Sequence, residues 1–320
     1  MLYQFAKDSS SRLNLGLAAR SLRDVRLGAL TTFLFNYLVQ EYDVKRQEAN
    51  GLVIPTAMDL EVSTFCPRRC RGCYVPVDER KDPSVISYGT ASRAIGKGID
   101  LGMRNFNFIG GEPLQNRTIA LIERLVAEHP SRNFFCCTNG ELLATTQSSL
   151  DGLVSKNNFS AALSVDGFKE TNDKLRGRGS YGWIVEATRY LHLRGCFYGG
   201  VVTVRESNFE EALSDDFVDS LIEQGLMYTL FAITDDLPEE RKREALKIIR
   251  ELKQKPLFIY NSLTGHTGAD SRGCMARELC VNKDGKVLSN RKERIILGDI
   301  DTIDVETISR DPDWRKRFNS

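Results

Sequence analysis

The sequence predicts an α/β fold with parallel strands, and three observations lead to that prediction. Short apolar runs alternate with helical stretches from residue 57 onward, in six repeats. Each run is separated from the next by enough chain for a helical crossover. The polar and glycine-rich pieces fall directly after the runs, where parallel α/β folds place their chemistry. This pattern suits a barrel or an open doubly wound sheet and does not choose between them.

Taken in order, residues 12–45 read as one helix, with Leu22, Leu30, Phe33, Leu34, Tyr37 and Leu38 recurring at helical spacing between Arg23, Arg26, Gln40 and Glu41. It is expected to pack on the main domain, a lipid-contacting role being the alternative. Strands are expected at Met58–Val62, Asn105–Ile109, Asn133–Cys137, Ser160–Val165, Tyr198–Val204 and Tyr228–Ile233, and helices near 87–102, 117–128, 181–194, 210–224 and 239–254. After about residue 265 the texture changes. Asn261–Gly268 is polar and turn-rich, and Asp284-Gly285 between Leu279-Cys280-Val281 and Lys286-Val287-Leu288 predicts a hairpin. The domains expected are therefore 1–55, 56–265 and 266–320.

Bulk composition bounds the function. With 41% apolar and 27% charged residues the chain has the makeup of a soluble protein, and a net charge of +1 gives no reason to expect nucleic acid as a partner. No run reaches the roughly 18 apolar residues of a membrane span. No signal peptide is evident, and the eight cysteines are too sparse and clustered for a secreted disulfide scaffold, so a reducing cytoplasm is the expected location.

The chemistry starts in STFCPRRCRGCY. Cys66, Cys70 and Cys73 supply three thiolates from one loop, enough for three of the four irons of a [4Fe–4S] cluster. Zinc competes, but a structural zinc site wants four protein ligands, and no His or Cys follows closely enough to complete one. Three further strand ends carry Gly110-Gly111-Glu112-Pro113, Thr138-Asn139-Gly140 and Ser164-Val165-Asp166-Gly167, with Leu175-Arg176-Gly177 beyond.

In order and spacing, the cysteine triad, GGEP, SVDG and LRG together resemble the radical S-adenosylmethionine (radical SAM) enzymes, in the branch with a SPASM or twitch extension, over roughly residues 56–310. The resemblance implies a partial (β/α)6 TIM-type barrel with an N-terminal helical segment and a small twitch-like appendage. It also implies a cluster on Cys66, Cys70 and Cys73, S-adenosylmethionine chelating the open iron, an external reductant such as flavodoxin or ferredoxin, and a 5′-deoxyadenosyl radical as the product of reductive cleavage. By the same resemblance Gly110 and Gly111 let backbone approach the cofactor, Glu112 accepts from the methionyl ammonium, and Ser164 and Arg176 hold its carboxylate. Gly72 and Tyr74 flank the third cysteine near the adenine, and Asp166, Asn139, Thr203 and Asn208 line the same face. Where the family carries an aromatic or histidine before its third cysteine, this chain has Gly72.

The tail departs further: only Cys274 and Cys280 occur there, and Asn290 stands where a closing cysteine is expected, so one cluster in all is expected. Cys274, Cys280 and His266 are the weak candidates for a catalytic role. Cys136, Cys137 and Cys196 are expected to be packing thiols, while His129 and His192 belong to helices. A small-molecule substrate in natural-product or cofactor biosynthesis is expected, with a ribosomal peptide as the alternative and a lipid as a third. A non-catalytic iron–sulfur protein for electron transfer or sensing is the reading from another class.

Overall fold

The computed structural model describes residues 15–49, 55–261, 278–288 and 294–304. Its main elements are α1 (Leu15–Asp24), α2 (Leu27–Ala49), β1 (Ala57–Ser63), α3 (Tyr88–Asp100), β2 (Asn105–Gly110), α4 (Ile119–Glu128), β3 (Asn133–Thr138), β4 (Phe159–Ser164), α5 (Lys169–Arg176), α6 (Ser180–Leu193), β5 (Gly199–Val204), α7 (Asp215–Glu223), β6 (Tyr228–Ile233), α8 (Glu239–Leu252), β7 (Phe258–Asn261), β8 (Glu278–Val281), β9 (Lys286–Leu288) and β10 (Ile296–Asp299). The α/β class and the parallel strands are as expected.

Two compact units hold these elements. In the first, which spans Arg68–Arg71, the described residues before Thr32 and those from Thr138 to Asn261, β4, β5, β6 and β7 lie side by side, all parallel. Phe159, Ala161, Leu163, Val202, Val204, Phe231 and Ile233 fill its core. Serine caps decide where some helices begin: Ser214 accepts from the Phe217 N–H, so the helix expected at 210–224 is broken before Asp215.

The second unit, Thr32–Pro67, Gly72–Cys137 and the described residues after 264, orders its strands β10-β9-β8-β1-β2-β3. β1, β2 and β3 are parallel, and β8 joins β1 in parallel, Cys280 opposite Asp59. β9 runs antiparallel to β8 and to β10, and its pairing with β8 realises the hairpin expected around Asp284-Gly285. β1 is buried along its whole length, with Met58, Leu60 and Val62 alternating with Asp59, Glu61 and Ser63. A parallel strand is covered on both faces, so its polar side chains need partners inside the protein: Asn107 donates to Asp59 (2.8 Å) and Arg294 to Glu61 (2.7 Å).

The single helix expected over 12–45 is two helices. The chain breaks at Val25-Arg26, where the Arg26 N–H donates to the Gly195 carbonyl (2.7 Å) and its guanidinium to that of Val154 (2.9 Å). Leu30 and Phe33 are buried as expected, but Leu22 is exposed, and Val25 and Ala29 take buried places instead. No described helix is long and apolar enough to cross a membrane.

Candidate active site

In the second unit the end of β2 closes against the chain leading to the cysteines. The Gly111 N–H donates to the Ser63 carbonyl and the Glu112 N–H to that of Phe65, each at 2.9 Å. A Cβ on Gly110 would lie 2.1 Å from the Ser63 carbonyl oxygen, and one on Gly111 2.2 Å from that of Thr64. The two glycines are thus required by backbone packing against the segment before Cys66, a reason additional to the cofactor approach expected of them. Glu112 is buried and accepts from the Leu114 N–H (2.9 Å), while Gln115 donates to the Phe65 carbonyl (3.1 Å). The Cys66 N–H donates to the Arg80 carbonyl (3.1 Å). Tyr74 is tied down as well: its hydroxyl donates to the Gly110 carbonyl (2.9 Å) and accepts from the Gly110 N–H (3.2 Å), with its ring partly exposed. Gly72 has a left-handed backbone, φ +63°.

In the first unit Ser164 ends β4 and Asp166 follows it, buried. The Asp166 carboxylate accepts from Arg176 Nη2 (2.9 Å) and the Thr203 N–H (2.7 Å), and Arg205 Nη1 lies 3.3 Å away. Its backbone is held too, by Asn172 at the N–H (2.9 Å) and Asn208 at the carbonyl (2.7 Å). Asn208 and Thr203, expected to line the site, therefore brace Asp166. Asn139 accepts from the Glu141 N–H (2.8 Å), a turn-forming role. Glu211 fastens the start of α5 by accepting from the Phe168 N–H and the Thr171 hydroxyl.

Two features escaped the sequence reading. Arg205 directly follows β5 and stood under the same strand-end rule as the other motifs. Arg294, from the tail, meets Glu61 through both nitrogens (2.7 and 3.3 Å) and also Glu79 (3.2 Å), from a left-handed backbone, φ +55°. The hydrogen bonds to Glu61 raise the Arg294 guanidinium above its ordinary pKa. No local signal marks that pair.

Cys66, Cys70 and Cys73 are half-buried, and none is in a disulfide. Among the described residues no group of three or more His, Cys, Asp or Glu side chains is gathered tightly enough for one metal ion. Three half-buried thiols on one loop are the donor type that an iron–sulfur cluster takes. The quieter cysteines behave as expected: Cys136 and Cys196 are buried, and burial pushes the Cys136 thiol well up and that of Cys196 up to about 11. Cys280 is buried with Ile109, Leu288 and Cys137. His266, Cys274 and Asn290 lie outside the described residues.

Residues 60–217 match the family described as Radical SAM superfamily. SuiB of Streptococcus suis bound to S-adenosylmethionine superposes with a TM-score of 0.62 at 15% identity, covering 85% of this chain and 69% of that one. SuiB bound to the precursor peptide SuiA gives 0.63 at 15%, covering 85% and 68%. anSMEcpe with bound AdoMet gives 0.60 at 17%, covering 79% and 77%. At these identities the likeness is one of fold. An uncharacterized protein of Archaeoglobus fulgidus is 28% identical over 152 residues, 45% of this chain and 34% of that protein, so the match spans about a third of that relative's length.

Proposed function

We propose that the chain is an enzyme of the radical SAM class, the superfamily matched over residues 60–217, and that Cys66, Cys70 and Cys73 hold one [4Fe–4S] cluster whose open iron takes S-adenosylmethionine. When bound, these groups supply a 5′-deoxyadenosyl radical that takes hydrogen from the substrate. The chain's own residues bind and orient. Glu112 accepts from the methionyl ammonium while still holding the Leu114 N–H, since a carboxylate accepts several hydrogen bonds. Ser164 and Arg176 hold the methionyl carboxylate, to which an arginine fork is suited. Asp166 serves as the counter-ion that aims Arg176, and Gly72 and Tyr74 border the adenine. The observation that carries the reading is the three-thiol loop anchored by the GGEP turn, within the matched family segment.

The substrate we propose is a peptide. The small-molecule expectation gains no support from the comparisons, whereas two of the structural neighbours are described with peptides bound, SuiB with SuiA and anSMEcpe with the Cp18Cys peptide. The tail belongs to a reduced, twitch-like type without a cluster, because Cys280 packs as a strand residue. The partial barrel, the division at 55 and 265, the cytoplasmic location and the flavodoxin or ferredoxin reductant complete the proposal. Anaerobic reconstitution with reductant and S-adenosylmethionine tests it: 5′-deoxyadenosine and about four irons per chain are expected. Cys66→Ala, Cys70→Ala and Cys73→Ala should each abolish the nucleoside. No nucleoside from the wild type, with or without candidate peptides, sinks the reading, and about eight irons per chain sinks the cluster-free tail.

A further inference from the structure

Between the first two cysteines lies a side chain to which the proposed chemistry gives no task. Arg68 is half-buried, and its Nη2 donates to the Arg176 carbonyl (3.1 Å) and reaches that of Gly177 (3.4 Å). Its guanidinium lies over the Trp183 ring, 4.3 Å from the centroid, an attractive arrangement of cation and ring face. The backbone docks at the same place: the Arg71 N–H donates to the Leu175 carbonyl (2.9 Å), and Cys70 Sγ is 3.8 Å from the Arg176 oxygen. Leu175 and Arg176 are the last residues of α5 and Gly177 follows. The Leu175 and Arg176 carbonyls are among those a helix leaves without intrahelical partners at its C-terminus, where a positive charge is also favoured, while that of Gly177 also accepts from the Ser180 N–H (3.1 Å). A Cβ on Gly177 would come 3.1 Å from the Arg68 guanidinium, so glycine there leaves the room it uses. Arg69, the next residue, is exposed, and its guanidinium donates back to the Arg68 carbonyl (3.2 Å).

The geometry points to Arg68 as a positioning residue for Cys70. It clamps the cysteine spacer to the end of α5 through the carbonyls of Arg176 and Gly177 and the face of Trp183, and so fixes where Cys70 Sγ stands beside the Arg176 carbonyl. Because the Arg176 side chain meets Asp166, one helix end holds the cysteine spacer by its carbonyls and the Asp166 ion pair by its last side chain. The ligand role of Cys70 rests on the radical SAM reading, but the clamp itself does not.

The test compares Arg68→Ala, Arg68→Lys and Arg69→Ala in the full chain. Without cluster, hydrogen exchange of the segment around Arg71 should quicken about tenfold in Arg68→Ala, as expected for loss of a charged hydrogen bond that holds a local opening closed. It should quicken less in Arg68→Lys, which keeps a donor and the charge but loses the fork, and not at all in Arg69→Ala. After reconstitution, Arg68→Ala should lower the cluster's midpoint potential and alter its electron paramagnetic resonance signal, with Arg69→Ala matching wild type. Equal behaviour of the two alanine variants would reduce the effect to net charge and overturn the proposal. So would unchanged exchange in Arg68→Ala beside a normally loaded wild type. A wild type that takes up no cluster overturns the radical SAM reading, and with it the purpose given to the clamp.

Discussion

Two buried carboxylates, one in each unit, keep their charge out of water in opposite ways. Asp166 collects two guanidiniums, from Arg176 and Arg205, and the Thr203 N–H, all from within 40 residues of chain. Glu61, whose side chain is wholly buried in the middle of β1, has both of its oxygens, among the described residues, on the one guanidinium of Arg294, 233 residues away. One acid is held redundantly and the other at one point. Redundancy is found where we propose that a guanidinium must also turn to a ligand. Single-point anchorage is found where the tail is fastened to the central strand.

The sharpest way to break the contrast is Arg294→Ala. Removing the one guanidinium leaves a buried, uncompensated carboxylate, with an expected cost of about 3–5 kcal/mol, toward the lower end because Arg294 is partly exposed. Denaturant unfolding measures it. In the Glu61→Gln background, where no charge needs neutralising, the same substitution should cost far less. Equal costs in the two backgrounds would mean that Arg294 acts through packing and not through the pair.

The next test lies at Asp166. Arg176→Ala leaves Arg205 and the Thr203 N–H in place, so the stability loss should be about 1–3 kcal/mol, below that of Arg294→Ala, while S-adenosylmethionine binding by equilibrium titration should weaken at least about tenfold. Arg205→Ala, whose contact is the longer one at 3.3 Å, should cost about 1 kcal/mol or less and leave binding closer to wild type. An Arg176→Ala variant as unstable as Arg294→Ala would refute the redundancy.

The same contrast explains what could be read from the chain. Asp166 itself sits at a strand end in SVDG, Arg176 in the LRG motif and Thr203 and Arg205 at the end of β5, so motifs and a rule about strand ends reach them; Arg205 stood under that rule and was passed over for want of a motif. The Glu61–Arg294 pair carries no local mark, because nothing in a run of alternating strand residues says which distant residue will face it. The pairing of β8 with β1 escaped for the same reason: Asp284-Gly285 signals the hairpin that contains β8, but its pairing with β1 is a long-range event, and the hairpin read as a separate appendage. Helix α5 was missed because KETNDKLR buries only Asn172 and Leu175, too little apolar periodicity to register. The break at Val25-Arg26 was missed because side-chain periodicity runs through it, while its cause is a backbone hydrogen bond to Gly195. The cysteine triad and GGEP were legible because their chemistry is carried by residue type and spacing alone. That Gly110 and Gly111 also serve close packing of backbone, and that Asn208 braces Asp166, needed three dimensions.

The smallest effect concerns thiols and is absent at neutral pH. Each unit buries one small thiol, Cys136 in the second and Cys196 in the first. Burial raises both, but Cys136 has the Glu112 charge adding to the rise, while Arg26 and Arg194 pull Cys196 back, to about 11 against an ordinary 9.0. Between those two values the folded chain keeps a proton that the unfolded chain loses. Stability contributed by Cys196 is therefore complete below pH 9.0 and falls as pH rises toward about 11, with a limiting slope of about 1.4 kcal/mol per pH unit. Cys196→Ala should flatten the alkaline arm of the stability profile by that amount and leave the neutral arm parallel to wild type. Alkylation followed by mass spectrometry gives the kinetic counterpart: Cys66, Cys70 and Cys73 should react first in cluster-free protein, Cys196 later and Cys136 last. A Cys136 that reacts as fast as Cys196 would show that local opening, and not the difference in charge around the two thiols, sets their reactivity.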